Sequence, residues 1–164
     1  SATCTVTVKN AALKLSASTK TIYTKGTPST VTVKTAKTGV TGTVKYTSSN
    51  TKVATVNTAG KVTAKKAGTV TITAKCGSLT ATYNITVKKP VLTLKTKAAV
   101  SIKKGKTTTI KAAATPKATV TYKSSDVRIA KVNSKGVVTG VKKGKATITV
   151  TANGVSKKVA VTVK

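Results

Sequence analysis

The residues from Tyr46 to Lys88 (YTSSNTKVATVNTAGKVTAKKAGTVTITAKCGSLTATYNITVK) return as Tyr122 to Lys164 (YKSSDVRIAKVNSKGVVTGVKKGKATITVTANGVSKKVAVTVK), every position displaced by 76 residues without a gap. Tyr46 falls on Tyr122, Ser48 and Ser49 on Ser124 and Ser125, Asn57 on Asn133, Gly60 on Gly136, and Ile72 on Ile148. A fixed internal period decides the architecture before any local propensity does. The chain reads as a tandem array of two small domains within its 164 residues.

Period-two alternation fills most of each repeat. Val70, Ile72 and Ala74 alternate with Thr71, Thr73 and Lys75, and Ala146, Ile148 and Val150 alternate with Thr147, Thr149 and Thr151. One face of such a segment is apolar and the other polar, as in a half-buried strand. Gly77-Ser78 and Asn153-Gly154 then read as hairpin turns into closing strands that turn Tyr83, Ile85 and Val87, or Val159, Val161 and Val163, inward. Strands are also expected at Ala12–Leu15, Thr30–Lys34, Thr43–Thr47, Val53–Val56 and Lys61–Ala64, with counterparts in the second repeat. Asn57–Gly60 and Asn133–Gly136 read as tight turns with glycine at positive φ. The displacement is 79 in the early strands and 76 from Tyr46 onward, so three extra residues are expected around Thr38–Gly42. About seven short strands per repeat, with turn signals between them, point to an all-β fold of two tandem β-sandwiches. The cores must be filled by Val, Ile, Leu, Ala and threonine methyls, because the chain has four Tyr and no Phe or Trp.

Residues 1–9 (SATCTVTVK) alternate in the same way and copy the closing strand Ala81–Lys88. They read as one extra strand before the first repeat. Either it is the remnant of a preceding repeat, in a fragment or processed product, or it is donated to an open sheet edge of another subunit. The domains are therefore residues 1–9, 10–89 and 90–164, and Pro90 stiffens a junction with no linker, favouring a rod.

Charge supplies the second constraint. Thirty-one basic residues face one acidic residue, Asp126, for a net charge of +30. Such a surface attracts polyanions and says little about fold. The basic residues recur along the whole chain, which fits either a solvated coat or a surface that binds teichoic acid, acidic glycan or nucleic acid. The paired lysines of predicted turns, Lys65 and Lys66, Lys103 and Lys104, and Lys142 and Lys143, are the candidate polyanion contacts. Four dispersed Tyr offer no stacking platform for bases or sugars.

Catalytic chemistry finds little to stand on. The chain has no His and no Glu, and Asp126 sits in a predicted turn without a partner carboxylate, so neither a general acid–base pair nor a His-dependent nucleophile can be assembled. Zinc needs four Cys or His ligands, and calcium needs several oxygens, usually carboxylates. No catalytic, cofactor or metal site is expected, and no small-molecule substrate. Asp126 reads first as a turn residue standing where the first repeat has Asn50, with an exposed ion pair to Arg128 as the alternative. No apolar run approaches the ~18 residues of a membrane-spanning helix. The two cysteines, Cys4 and Cys76, both have inward parity, which leaves open a bridge between them, a free Cys4, or a bond to another chain.

One motif carries a family resemblance. Ser48, Ser49, Asn50, Val53, Ala54, Val56, Asn57, Gly60, Val62, Thr63, Ala64, Gly68, Ile72, Thr73 and Ala74, with their counterparts from Ser124 to Val150, form a pattern that resembles the bacterial immunoglobulin-like domain of the second group, found in intimin- and invasin-like surface proteins. The resemblance covers both repeats and implies immunoglobulin-like sandwiches, an extracellular or bacterial cell-surface location, and no catalytic residues. It implies a non-enzymatic stalk, spacer or adhesion module whose partners are adjacent repeats or neighbouring subunits. Two other functions remain beside it: a polyanion-binding module on anionic cell-wall polymers or glycans, and an appendage subunit that assembles through residues 1–9.

Overall fold

The segments with the cleanest alternation become the longest strands. In the computed structural model, which describes residues 10–17 and 19–164, Val70, Ile72, Ala74 and Cys76 are buried along one face of a single strand. The intervening Thr69, Thr71, Thr73 and Lys75 lie on the other face, half-buried or exposed. Ala146, Ile148, Val150 and Ala152 repeat the pattern. The described chain is all-β and divides into two compact units, with the boundary between Lys89 and Pro90.

The first unit contains β1 (Ala12–Ser16), β2 (Thr21–Tyr23), β3 (Thr30–Thr32), β4 (Lys34–Thr38), β5 (Lys45–Ser48), β6 (Ala54–Val56), β7 (Lys61–Ala64), β8 (Gly68–Cys76) and β9 (Leu79–Lys88). A four-stranded sheet of order β2-β9-β8-β5 faces a three-stranded sheet of order β3-β7-β6, and β1 pairs with β4 as a separate ribbon. Val70, Ile72, Ile85 and Val87 from the first sheet and Val31, Ala54 and Val62 from the second form one buried cluster. Burying a Val or Ile side chain this fully contributes about 1.5–3 kcal/mol.

The second unit repeats the plan with β10 (Val91–Leu94), β11 (Ala99–Ile102), β12 (Thr107–Thr109), β13 (Ala112–Thr115), β14 (Thr121–Ser124), β15 (Ala130–Val132), β16 (Val137–Gly140), β17 (Gly144–Ala152) and β18 (Val155–Val163). Its sheets are β11-β18-β17-β14, β12-β16-β15 and the pair β10-β13. Leu92, Ile110, Val138, Ile148, Val159 and Val161 lie in its buried cluster.

Two sequence expectations need correction. Each unit has nine strands among the described residues, where about seven were expected. One added strand is the short edge segment β2 or β11, which pairs in parallel with the closing strand β9 or β18. The other arises because the single strand expected over Thr30–Lys34 breaks at Val33. There the N–H of Val33 donates to the Gly60 carbonyl at 2.9 Å, so the chain leaves β7 for the turn and then pairs with β1. Ile110 makes the matching bond to Gly136, also at 2.9 Å.

The three extra residues of the first repeat are also divided, not gathered around Thr38–Gly42. Thr30 pairs with Thr63 as Thr107 pairs with Thr139, so the displacement is already 77 at β3. Two of the three residues therefore fall between Gly26 and Thr30, and the third between β4 and β5.

The hairpins form as expected. β8 and β9 pair through nine residues across Gly77-Ser78, with Gly77 at φ +60°. Asn153 (φ +52°) and Gly154 (φ +70°) make the doubly left-handed turn between β17 and β18.

Candidate functional site

The carboxyl ends of β11, β14, β16 and β18 gather at one pole of the second unit, because β11 runs parallel to β18 and the others alternate around them. The turns leaving those ends are basic. Lys103 and Lys104 follow β11, and the Lys104 N–H donates to the Lys164 carbonyl at 3.0 Å. Gly105 and Gly140 are joined at 2.8 Å between the same turn and the end of β16. Lys142 and Lys143 follow directly, both exposed. The topology thus brings together four of the six sequence-predicted lysines. Lys65 and Lys66 occupy the corresponding pole of the first unit, also exposed.

The turn after β16 is fastened to the turn after β14 through a single acceptor. The Ile129 carbonyl accepts the N–H groups of Val141 at 2.8 Å and Lys142 at 3.3 Å. In the first unit the Val53 carbonyl accepts from Lys65 at 2.9 Å and Lys66 at 3.1 Å. This staple sets Arg128 beside Lys142 and Lys143 around a cleft of about 310 Å³, lined also by Asp126 and Ile129. Sequence reading passed over Arg128 as a ligand contact. The signal was its 76-residue correspondence to Lys52, which makes the cation at this turn a feature of both repeats.

Asp126 fills two roles. Its Oδ1 accepts the Arg128 backbone N–H at 2.9 Å, as Asn50 Oδ1 accepts from Lys52 at 3.0 Å. This is the turn hydrogen bond that Asn and Asp side chains supply. Its carboxylate also holds the guanidinium from two sides, with Nε at 3.2 Å from Oδ1 and Nη2 at 3.1 Å from Oδ2. The alternative ion pair is present beside this turn bond, with the Arg128 side chain exposed and Asp126 half-buried, so solvent screens it. The hydrogen bonds from the Arg128 side chain, then from its backbone, hold the carboxyl below its ordinary range.

The motif residues of each repeat have structural work. Asn57 Oδ1 accepts the N–H groups of Ala59 at 3.1 Å and Lys61 at 2.9 Å, and Asn133 does the same for Lys135 and Val137, both at 3.0 Å. Ser49 Oγ accepts the Thr71 N–H at 3.0 Å, and Ser125 Oγ accepts that of Thr147 at 2.9 Å, each extending an edge strand by one bond. Tyr46 and Tyr122 pack against their cores, and the Tyr46 hydroxyl meets that of Thr35.

Cys76 is buried, with its Sγ 3.8 Å from the Thr41 carbonyl under the loop between β4 and β5. Ala12 pairs with Thr38 at the start of that loop, so the chain enters β1 at the pole that carries Cys76. Cys4, with residues 1–9, lies outside the described residues. Beside the same loop a groove of about 690 Å³ runs along β5, lined by Val44, Tyr46 and Val56.

Among the described residues no three His, Cys, Asp or Glu side chains come together as a metal site. Among the described residues no helix is long and apolar enough to cross a membrane.

Comparison with known proteins gives a family. The family model for the bacterial Ig-like domain (group 2) matches residues 7–87 and again 81–163. No curated protein matches the chain. Among solved structures, the S-layer protein rSbsC(31-844) is 27% identical with a TM-score of 0.48, over 93% of this chain and 28% of that one. Domains 4 and 5 of the S-layer protein SbsC are 26% identical with a TM-score of 0.47, over 94% of this chain and 99% of that fragment. An intimin mutant of EHEC O157:H7 is 28% identical with a TM-score of 0.36, over 47% of this chain and 40% of that one. The chain thus spans little more than a quarter of the rSbsC(31-844) chain.

Proposed function

The chain belongs to the bacterial Ig-like domain (group 2) family, and from that premise we propose that it is a non-enzymatic, load-carrying spacer of a bacterial surface protein. The observation that carries this reading is the parallel pairing of an early strand with the closing strand in each unit. β2 runs beside β9 with Thr21 opposite Thr86 and Tyr23 opposite Lys88, and β11 runs beside β18 with Ala99 opposite Ala160 and Ile102 opposite Val163. Flanking bonds extend both ladders. Thr86 N–H donates to the Lys20 carbonyl at 2.7 Å, Thr24 to Lys88 at 3.0 Å, Ala160 to Ala98 at 2.8 Å and Lys164 to Ile102 at 2.9 Å.

Tension applied between the ends of a unit pulls these parallel strands in opposite directions. Interstrand bonds lie across the strands, so the load shears the whole ladder at once and cannot open it one bond at a time. That geometry suits a module whose task is to hold distance. Its neighbours are further repeats or subunits of the surface assembly, and its place outside the cell accords with the stalks of intimin- and invasin-like proteins that the motif resembles.

The test is single-molecule pulling of the chain through its termini. Val100→Pro places a residue without an N–H inside β11, and the unfolding force of one unit is expected to fall by about half or more. Val132→Ala, which trims a residue packed on the same core but outside that ladder, is expected to lower stability by about 1–2 kcal/mol and leave the force nearly unchanged. Equal force loss in the two variants refutes the load-bearing role of β11–β18.

A further inference from the structure

We propose that the basic pole of the second unit is a binding site for a tetrahedral ester anion, phosphate or sulfate, of a linear polymer. Arg128, Lys142 and Lys143 act as its cations, and Asp126 attenuates it. This goes beyond the spacer role, which needs no ligand.

The positions of the three cations are fixed by the fold. Arg128 lies in the turn after β14 and Lys142 and Lys143 in the turn after β16, and the second turn is tied to the first through the Ile129 carbonyl. Ile129 itself closes over Gly144, where an added Cβ would lie 2.9 Å from Ile129 Cδ1. Little room is left for the two turns to separate. The cleft between them, about 310 Å³, has the size of the smaller ligand clefts and is lined by three cations and one carboxylate. Three positive groups around one small volume repel each other until an anion enters.

The chemistry of the cations selects the ligand. Asp126 engages Nε and Nη2 of Arg128, which leaves Nη1 and the outer hydrogen of Nη2 for an oxyanion, while Lys142 and Lys143 supply point charges of the kind that hold phosphate. Tyr46 and Tyr83 pack on one core, Tyr122 packs on the other and Tyr23 lies in β2, and no aromatic residue lines the cleft, so the site reads charge and presents no stacking surface for a base.

A linear polymer follows from the repetition. The first unit has the same staple at the Val53 carbonyl, with Lys52, Lys65 and Lys66 in the corresponding places and Asn50 in place of Asp126. A linear polymer carries such anions in series, and each repeat presents its own cations to them. Asp126 distinguishes the two. Three cations and one carboxylate leave +2 in the second unit, whereas the first has three cations and no carboxylate.

The experiment is fluorescence anisotropy of the intact chain with labelled poly(glycerol phosphate) and, in a second arm, with heparin, in low and in physiological salt. A triple variant, Arg128→Gln with Lys142→Gln and Lys143→Gln, is compared with Lys117→Gln, Lys135→Gln and Lys157→Gln. The latter three are exposed lysines away from the cleft, and their loss lowers the net charge by the same three units. The site variant is expected to lose about tenfold or more in affinity for at least one polymer and the control less than about threefold, with the polymer that responds identifying phosphate or sulfate. Asp126→Asn, which introduces the residue the first repeat already carries at this turn, is expected to tighten binding by about two- to fivefold. Equal losses in the two triple variants reduce the binding to a diffuse coat and overturn the site. Unchanged or weaker binding by Asp126→Asn overturns the attenuating role of the carboxylate.

Discussion

Gly60 and Gly136 sit at φ +75° and +78°, each ending a turn that an asparagine closes. A Cβ at Gly60 would lie 2.6 Å from the Val33 carbonyl oxygen and 3.0 Å from Tyr46 Cζ, and one at Gly136 would lie 2.5 Å from the Ile110 oxygen and 2.8 Å from Tyr122 Cζ. Backbone strain and collision therefore add at these two positions. Gly136→Ala is expected to destabilise the second unit by about 2–4 kcal/mol in urea denaturation. Gly77→Ala, at φ +60° but with open space around it, is expected to cost only about 1–2 kcal/mol. The turn and its glycine were readable from Asn-x-x-Gly. The tyrosine seated over it was not, because Tyr46 belongs to the opposite sheet and the contact exists only once the two sheets are stacked.

Asp126 gives the residue scale its pH dependence. Its folded-state value is lowered from an ordinary one near 3.8 by the hydrogen bonds from Arg128, so its contribution is fully present above that value and is lost as pH falls through the lower, folded value. The chain has no other side-chain carboxyl and no His. Unfolding midpoints are therefore expected to be flat between about pH 5 and 7. Asp126→Asn is expected to reduce the slope on the acid side and to keep the pH 5–7 region flat, at a level no higher than that of the parent chain. A slope at pH 5–7 common to both proteins would contradict this reading.

At the scale of the element, alternation located the long strands and their inward faces, including Cys76 and the residues from Val159 to Val163. It failed where a strand changes partners. Nothing in Thr30–Lys34 marks Val33 as the point of exchange, because the residue is apolar and buried whether the chain stays in one sheet or crosses to the ribbon. The parallel edge strands escaped for a related reason. They are three or four residues long and take their identity from β9 and β18, far away in sequence. One serine of each pair, Ser49 or Ser125, prolongs an edge strand. Ser125→Ala leaves the Thr147 N–H without its side-chain acceptor and is expected to cost about 0.5–1.5 kcal/mol, seen as faster amide exchange at Thr147 while the β17–β18 hairpin keeps its protection.

For the whole molecule, the 76-residue period was enough to announce two units of one plan, and each unit indeed has its own buried cluster. The grouping of charges was less legible. Paired lysines are visible in the sequence, but their gathering at one pole with Arg128 and Lys164 depends on which strand ends lie together, and that depends on the parallel pairing. Separate cores also predict separate responses: a chain carrying Gly136→Ala should unfold in two steps, with the first unit keeping its original midpoint.

The most direct measurement is the pulling of the unmodified chain through its termini. Two closed units of similar length, each clamped by a parallel ladder, should give two discrete unfolding events, each releasing roughly 200–250 Å of chain at the usual extension per residue. A gradual lengthening without discrete events, or a single event of about twice that length, would contradict the account of the molecule as two mechanically closed units in series.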